Sequence, residues 1–254
     1  IPGGAGNVAM NLCLMGAKVT CIGFVGEDVW GQKLLSILDN EGIKTKGIEI
    51  IGNHPTTLKQ RIYSDGKQVA RLDTEKIINW QPDSEMKHDY NDYDIIILSD
   101  YNKGVLNQPW FSINNLDNVI VDPKKDVFSY YSQANIITPN LNELQRASKI
   151  EIHDNKSLVD ACNELIQKCN FNYIVAKKGD EGITIVGKNG LIDHIKAHPI
   201  ENPDVTGAGD TVVAALSLAY AKTNDIESSA KIANAAAAVV VGKPGTAVVL
   251  SLIH

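Results

Sequence analysis

The chain has 254 residues, 44% of them apolar and 21% charged, with 24 Lys+Arg against 30 Asp+Glu and a formal net charge of −6. These proportions belong to an average globular protein of one large domain or two small ones, and they exclude a disordered, collagenous or coiled-coil chain. The acidic balance argues against a nucleic-acid partner, which calls for a basic surface, but leaves room for a small anion in a local basic pocket.

Cys13, Cys21, Cys162 and Cys169 form no CxxC pair and no Cys/His cluster with zinc spacing. Free thiols in a reducing, cytoplasmic compartment are the expectation. The longest apolar runs, such as residues 235–241, are too short to span a bilayer. No segment reads as a signal peptide, so no membrane partner is expected. The chain opens at Ile1-Pro2-Gly3-Gly4 without a starting Met, which reads as an entry point inside a larger fold.

Residues 7–16 place apolar side chains at helical spacing, and Gly16 stops the run. Residues 18–25 (KVTCIGFV) predict a strand and 31–40 a second amphipathic helix. Residues 43–73 change character, with short strand-like runs at 48–51, 57–63 and 68–72 broken by turn signals at Asn53-His54-Pro55 and Asp65-Gly66. They predict a small sheet set apart from the main body.

From residue 94 the rhythm is strand, loop, helix. Residues 94–98, 119–121, 135–137 and 173–176 are apolar runs of the buried parallel type. Residues 183–186 and 190–195 predict a hairpin, and 157–168, 211–222 and 226–241 predict helices. Alternating β and α elements predict an α/β fold, a mostly parallel sheet covered on both faces.

Residues 204–210 (DVTGAGD) stand directly before a predicted helix. Small residues there let a ligand approach the backbone, and successive amides at a helix start form an anion nest. Phosphoryl transfer needs that stabilisation and a base beside it, so Asp210 is the candidate base and Gly207, Ala208 and Gly209 the candidate nest. The competing reading is a glycine-rich turn whose Asp caps a helix. Gly3, Gly4 and Asn7 precede another helix, either approaching a polyol closely or forming a turn capped by Asn7.

Asn140 and Glu143 follow a strand three residues apart. They suit either a hydrated magnesium ion or a capping box. Asp100, in a loop after one strand, and Lys124 and Lys125, after another, occupy the strand ends where α/β folds bind ligands. Surface charge is the simpler reading, more so for Lys125 than for Lys124. Lys59 and Arg61, spaced by two, share one strand face with a basic character, either for a phosphorylated substrate or as charges protecting an edge. Arg71 lies in the same segment.

Together, residues 3–11 (GGAGNVAMN), 138–143 (TPNLNE), 178–182 (KGDEG) and 204–210 (DVTGAGD), in this order, resemble the ribokinase-like, phosphofructokinase B-type carbohydrate kinases. Residues 99–104 (SDYNKG), 121–124 (VDPK) and 239–246 (VVVGKPGT) resemble the branch acting on heptose 7-phosphates for ADP-heptose synthesis. The resemblance implies one kinase domain over residues 1–254 with 43–73 in a β lid. It implies ATP and Mg2+ as cofactors, with ATP bound by Asn140, Leu141, Asn142, Glu143, Gly182, Asn234 and Gly245. Asp204 and Thr206 match a monovalent-cation site for K+. Gly3, Gly4, Asn7, Lys59, Arg61, Asp100 and Lys124 are implied around the sugar. Also implied are a homodimer through the lid, a fused adenylyltransferase domain in longer relatives, a first strand before Ile1 and a final helix after His254. Lys177 stands where relatives often carry Thr. The alternatives are a kinase for another sugar phosphate, such as fructose or tagatose phosphate, and a noncatalytic sugar- or nucleotide-binding regulator.

Overall fold

The structure, a computed structural model, describes residues 1–64, 67–81, 90–107, 118–132, 134–200 and 203–242. Six strands form the main sheet in the order β10-β9-β8-β7-β6-β5. Strands β5 (Ile96–Ser99), β6 (Val119–Asp122), β7 (Ile136–Ile137) and β8 (Tyr173–Lys177) run parallel, and β9 (Ile183–Gly187) and β10 (Gly190–Ile195) close the sheet as an antiparallel hairpin.

Successive strand side chains point to opposite faces, and every central strand is apolar on both. Val121, Ile137, Ile174 and Val186 face one way, against α3 (Leu141–Ser148), α4 (Asn155–Cys169) and the short helix Phe128–Tyr131. Ile120, Ile136, Val175 and Ile185 face the other, against Val212, Leu216, Ala230 and Ala233 of α5 (Ala208–Thr223) and α6 (Ile226–Val241). This alternation fixes the sheet's register and sets the carboxyl ends of β5 to β8 side by side. No helix among the described residues is long and apolar enough to cross a membrane.

The N-terminal helix α1 (Ala5–Leu14) begins two residues before the predicted start and packs on α5 through Val8, Leu12, Val213 and Ala214. Strand β1 (Thr20–Gly26) leads to α2 (Val29–Asn40) and pairs in parallel with β2 (Lys44–Ile51). Residues 44–51 therefore form a two-stranded sheet with β1, and β3 (Leu58–Ser64) and β4 (Lys67–Thr74) form a second two-stranded sheet. Asp28 anchors the root of that hairpin. It caps α2 through the Gly31 amide at 2.8 Å and accepts from both the amide and the hydroxyl of Thr56 at 2.7 Å. Gly26 is required there, since a Cβ would meet the His54 carbonyl oxygen at 2.1 Å.

All four cysteines are free. Burial pushes the thiol of partly buried Cys21 up to about 11 and that of buried Cys162 up to about 12, which disfavours the reactive thiolate.

Candidate active site

The DVTGAGD turn delivers the first turn of α5 to the carboxyl end of the sheet. Gly207 holds φ 80° and ψ 0°, a left-handed conformation that a side chain would strain. The first four amides of a helix lack partners inside it. Here these are Gly207, Ala208, Gly209 and Asp210. The Ala208 amide donates to the Val205 carbonyl at 3.2 Å and so closes the turn. One amide of the expected Gly207–Ala208–Gly209 nest is thus engaged in the turn. Among the described residues, the amides of Gly207, Gly209 and Asp210 have no backbone partner.

Asp210 is 9% exposed. Asn7 donates from Nδ2 to its Oδ2 at 2.7 Å, and Tyr101 donates from its hydroxyl to Oδ1 at 2.8 Å. Burial pushes the Asp210 carboxyl above the usual carboxylate range, a rise that these two donors oppose. The charge of Asp122 raises it further and Lys177 lowers it. Burial and the Asp210 charge push the Tyr101 phenol up, so it stays a neutral donor.

Asn7 is not the helix cap that its spacing allowed. It is buried inside α1, oriented by Asn11, whose amide donates to the Asn7 carbonyl at 2.9 Å and to Oδ1 at 3.4 Å. Gly4, at φ 57°, lies under the Tyr101 ring, where a Cβ would meet ring carbons at 3.2 and 3.3 Å. Its close approach therefore serves the side chain that holds Asp210. Gly3 is exposed, with open space where a Cβ would stand.

Three further strand ends meet beside this pair. The Lys177 ammonium, at the end of β8, pairs with Asp122 Oδ1 at the end of β6 at 2.5 Å, and the Thr138 hydroxyl donates to the same oxygen at 3.2 Å. The Lys177 amide donates to the Pro139 carbonyl at 2.8 Å, and Asn140 bridges Lys177 in parallel, which docks the TPNLNE turn against β8.

Asn140 and Glu143 form a complete capping box. Asn140 Oδ1 accepts from the Glu143 amide and Glu143 Oε2 from the Asn140 amide, both at 2.9 Å. Glu143 is 4% exposed, and its Oε1 faces the half-exposed Lys124 ammonium at 3.2 Å. Leu141 packs on the core and Asn142 is exposed. Among the described residues, no group of three His, Cys, Asp or Glu is arranged to hold a metal.

The expected ranking of Lys124 over Lys125 as the functional lysine is altered. Lys125 is the buried one, paired with Asp100 Oδ2 at 2.9 Å, and Tyr131 donates to the same oxygen at 2.5 Å. Asp100, 3% exposed, also accepts from the Asn102 amide. It is thereby committed to the loop that carries Tyr101. Gly182, at φ 96°, is required by packing, because a Cβ would meet the Ile195 carbonyl oxygen at 2.1 Å. Asn234 Nδ2 donates to the Lys196 carbonyl at 2.8 Å and ties α6 to the chain after β10. Asp204 Oδ1 accepts from the Thr206 amide at 3.0 Å. Gly245 lies outside the described residues.

On the β3–β4 hairpin, Lys59 stands opposite Asp73 and Arg61 opposite Arg71. Asp73 takes both Lys59, at 3.5 Å, and Arg71, at 2.9 Å. Among the described residues, three cations thus share one face with a single carboxylate, and the two arginines are direct cross-strand neighbours. Such like-charge pairing is unfavourable unless an anion relieves it.

Sequence reasoning gave Tyr101 no role of its own and marked Lys177 only as a departure from relatives. Tyr101 stood only as one letter of the SDYNKG motif, and nothing local links it to a carboxylate 109 residues away. A cleft of about 700 Å³ opens at the opposite, amino ends of the strands, lined among others by Asp94, Asn118, Asn135, Tyr173 and Asn224. None of the motifs reaches it, and the carboxyl ends remain the place where this architecture puts chemistry.

The doubly covered sheet sets the glycine turn and the enclosed Asp210 at the carboxyl ends of its parallel strands, where α/β folds bind ligands. The model of the pfkB family carbohydrate kinases matches residues 1–251, and the chain belongs to that family. The bifunctional protein HldE of Paramagnetospirillum magneticum is 35% identical over 97% of this chain and 53% of its own length. That of Geobacter sulfurreducens is 36% identical with the same coverage. The chain spans about half the length of these curated relatives. Among solved structures, Arabidopsis thaliana ribokinase complexed with ribose and ATP superimposes with a TM-score of 0.75 at 21% identity, covering 98% of this chain and 83% of that one. Phosphofructokinase-2 from Escherichia coli in complex with potassium gives 0.74 at 19% identity, covering 96% and 82%.

Proposed function

We propose that the chain is a kinase domain that transfers the γ-phosphoryl group of ATP to the anomeric hydroxyl of D-glycero-D-manno-heptose 7-phosphate, giving the 1,7-bisphosphate for ADP-heptose and lipopolysaccharide core synthesis. The observation that carries the reading is Asp210, a buried carboxylate held by Asn7 and Tyr101 beside three helix-opening amides that have no backbone partner among the described residues.

In this reading the acceptor oxygen attacks the γ-phosphorus, a new O–P bond forms, and the bond from that phosphorus to the ADP oxygen breaks. The hydroxyl proton passes to Asp210, whose raised basicity suits it to receive one. The amides of Gly207, Gly209 and Asp210, with the α5 dipole, stabilise charge on the transferring group. Bound magnesium supplies neutralisation of the phosphate charge. Glu143 and Asn140 would hold a hydrated ion through its waters, since Glu143 is a buried carboxylate whose second oxygen, among the described residues, is shared with a half-exposed lysine. Asp204 and Thr206 are proposed for a monovalent cation such as K+, and Gly182, Asn234 and Gly245 for the nucleotide's surroundings.

The acceptor's existing phosphate is assigned to Lys59 and Arg61 on the β3–β4 hairpin, within the 43–73 segment proposed as part of a lid. The Lys59–Arg61–Arg71 face supports this, because one carboxylate leaves it with excess positive charge. The HldE relatives, at 34–37% identity, support a heptose phosphate in particular. Their designation as bifunctional, with the chain spanning about half their length, supports a fused adenylyltransferase domain. Exposed Ile62 and Leu72 on the hairpin support pairing of two copies through the lid.

The test is ADP release by the full-length protein with ATP, magnesium and a panel of sugar phosphates. Heptose 7-phosphate is expected to give the highest kcat/KM. Higher values with fructose or tagatose phosphate would overturn the substrate assignment, and no ADP release with any acceptor would overturn the kinase assignment.

A further inference from the structure

Helices α1 and α5 meet through apolar side chains, Val8 and Leu12 against Val213 and Ala214, yet Asn7, Asn11 and Thr211 lie buried between the same two helices. Asn7 is 2% exposed, and Asn11 and Thr211 are 0% exposed. Polar groups withdrawn this far from water cost stability unless their bonds are made. Here the bonds form one connected line that ends on Asp210. Asn11 Nδ2 donates to the Asn7 main-chain carbonyl at 2.9 Å and to Asn7 Oδ1 at 3.4 Å, and Asn7 Nδ2 donates to Asp210 Oδ2 at 2.7 Å. The Thr211 hydroxyl lies 3.5 Å from Asn11 Oδ1 and 3.2 Å from the Gly207 carbonyl, which ties the line to the glycine turn.

A side-chain amide has a donating end and an accepting end. Turned one way, the Asn7 amide gives Asp210 an N–H and stabilises the carboxylate. Turned over, it would offer a carbonyl oxygen, accept from the protonated acid and stabilise that form instead. Asn11 removes this choice. Its Nδ2 is held by a main-chain carbonyl, which only accepts, so the group it presents to Asn7 Oδ1 is a donor. With the Asn7 amide turned over, two N–H groups would face each other in a space closed to water, and the bond between the side chains would be lost.

We infer that Asn11 is a positioning residue, which holds the Asn7 amide with its N–H toward Asp210 and so selects the carboxylate, the form that takes the proton of the acceptor hydroxyl. The inference rests on the kinase reading above. Burial raises the Asp210 carboxyl, and Asn7 is the first of the donors that oppose the rise. The Tyr101 phenol, Asp122 and Lys177 also face Asp210, and a change at Asn11 leaves all three in place. The competing role is packing alone, in which Asn11 fills space between α1 and α5. The two roles separate because packing moves the melting temperature, whereas positioning moves the titration of Asp210.

The experiment measures kcat/KM for heptose 7-phosphate across pH in the full-length wild type, Asn11→Leu, Asn7→Ala and the double variant, together with melting curves. The Asp210 carboxyl is followed directly by carbon-13 NMR titration of the unliganded protein, its resonance assigned by its loss in Asp210→Asn. Asn11→Leu is expected to shift both the acid limb and the NMR titration to higher pH and to keep the alkaline plateau. In the Asn7→Ala background the same substitution is expected to shift neither any further, because its effect passes through the Asn7 amide. A Leu variant that titrates as the wild type does, with only its melting temperature altered, overturns the inference, and so does a Leu substitution that still shifts the titration when residue 7 is alanine. Should Asn11→Leu fail to fold, Asn11→Ala takes its place with the same expected shifts. The NMR arm needs no substrate. A wild type that releases no ADP with any acceptor, but whose Asp210 titration moves in Asn11→Leu and moves no further in the double variant than in Asn7→Ala, refutes the kinase reading and sustains the positioning by Asn11.

Discussion

Tyr101→Phe isolates the environment of the proposed base. The substitution removes one of the two side-chain donors to Asp210, the 2.8 Å bond to Oδ1, and keeps the ring that covers Gly4. A hydrogen bond to a charged group is worth about 1.5–3 kcal/mol, so its loss is expected to raise the Asp210 carboxyl further. Burial already holds it above the usual range, with Asn7 as the remaining donor. The base works as the carboxylate, so the acid limb of kcat/KM moves to higher pH while the alkaline plateau is largely kept. The assay is initial-rate ADP release across pH for wild type and variant. An unmoved limb refutes the argument that Tyr101 stabilises the charged base. A plateau lowered as far as in Asp210→Asn shows instead that the phenol itself takes part in the transfer.

Asp210→Asn is expected to lower kcat by about 10²–10⁴-fold, the usual contribution of a general base, with nucleotide affinity kept. Because the folded carboxyl is raised, its ionisation costs stability as pH rises through the folded pKa, so this variant should melt higher than wild type at neutral pH, and the difference should vanish below the unfolded value of about 3.9; an unchanged turnover removes Asp210 from the mechanism. Lys59→Ala and Arg61→Ala should raise KM for a phosphorylated sugar more than for ATP, with Arg61 the larger because Lys59 already has Asp73; steady-state kinetics with equal effects on both substrates reduces them to edge charges. Glu143→Gln keeps the capping box and loses the charge, so magnesium titrations of kcat should show a weakened magnesium dependence while the melting curve stays. Glu143→Ala should also lose about 1 kcal/mol of stability, as expected for a lost cap. A kinetically silent Gln variant leaves Glu143 with the cap alone.

The sequence legible in periods and caps gave way to the structure wherever distance in the chain mattered. The apolar runs at 119–121, 135–137 and 173–176 mark strands because a side chain buried on both faces leaves no polar alternation to misread. The Asn140/Glu143 spacing was enough to foresee a capping box, since both partners lie within one helical turn. The 43–73 segment read as one small sheet because β propensity carries no partner information. Its first strand pairs with β1, and only the remainder forms the hairpin.

Composition, motif order and local spacing by themselves determined the fold class, the glycine turn before α5 and the candidacy of Asp210, because each depends on residues within a few positions of one another. Tertiary structure alone decided what surrounds that aspartate. Asn7 arrives from 203 residues away and Tyr101 from 109, while Lys177 and Asp122 meet across 55. It also reversed the roles of neighbouring lysines, burying Lys125 against Asp100 and leaving Lys124 half-exposed beside Glu143. The physical reason is that hydrogen bonds and ion pairs act over a few ångströms of space. A parallel sheet with long crossovers brings into that range strand ends that the linear sequence holds far apart.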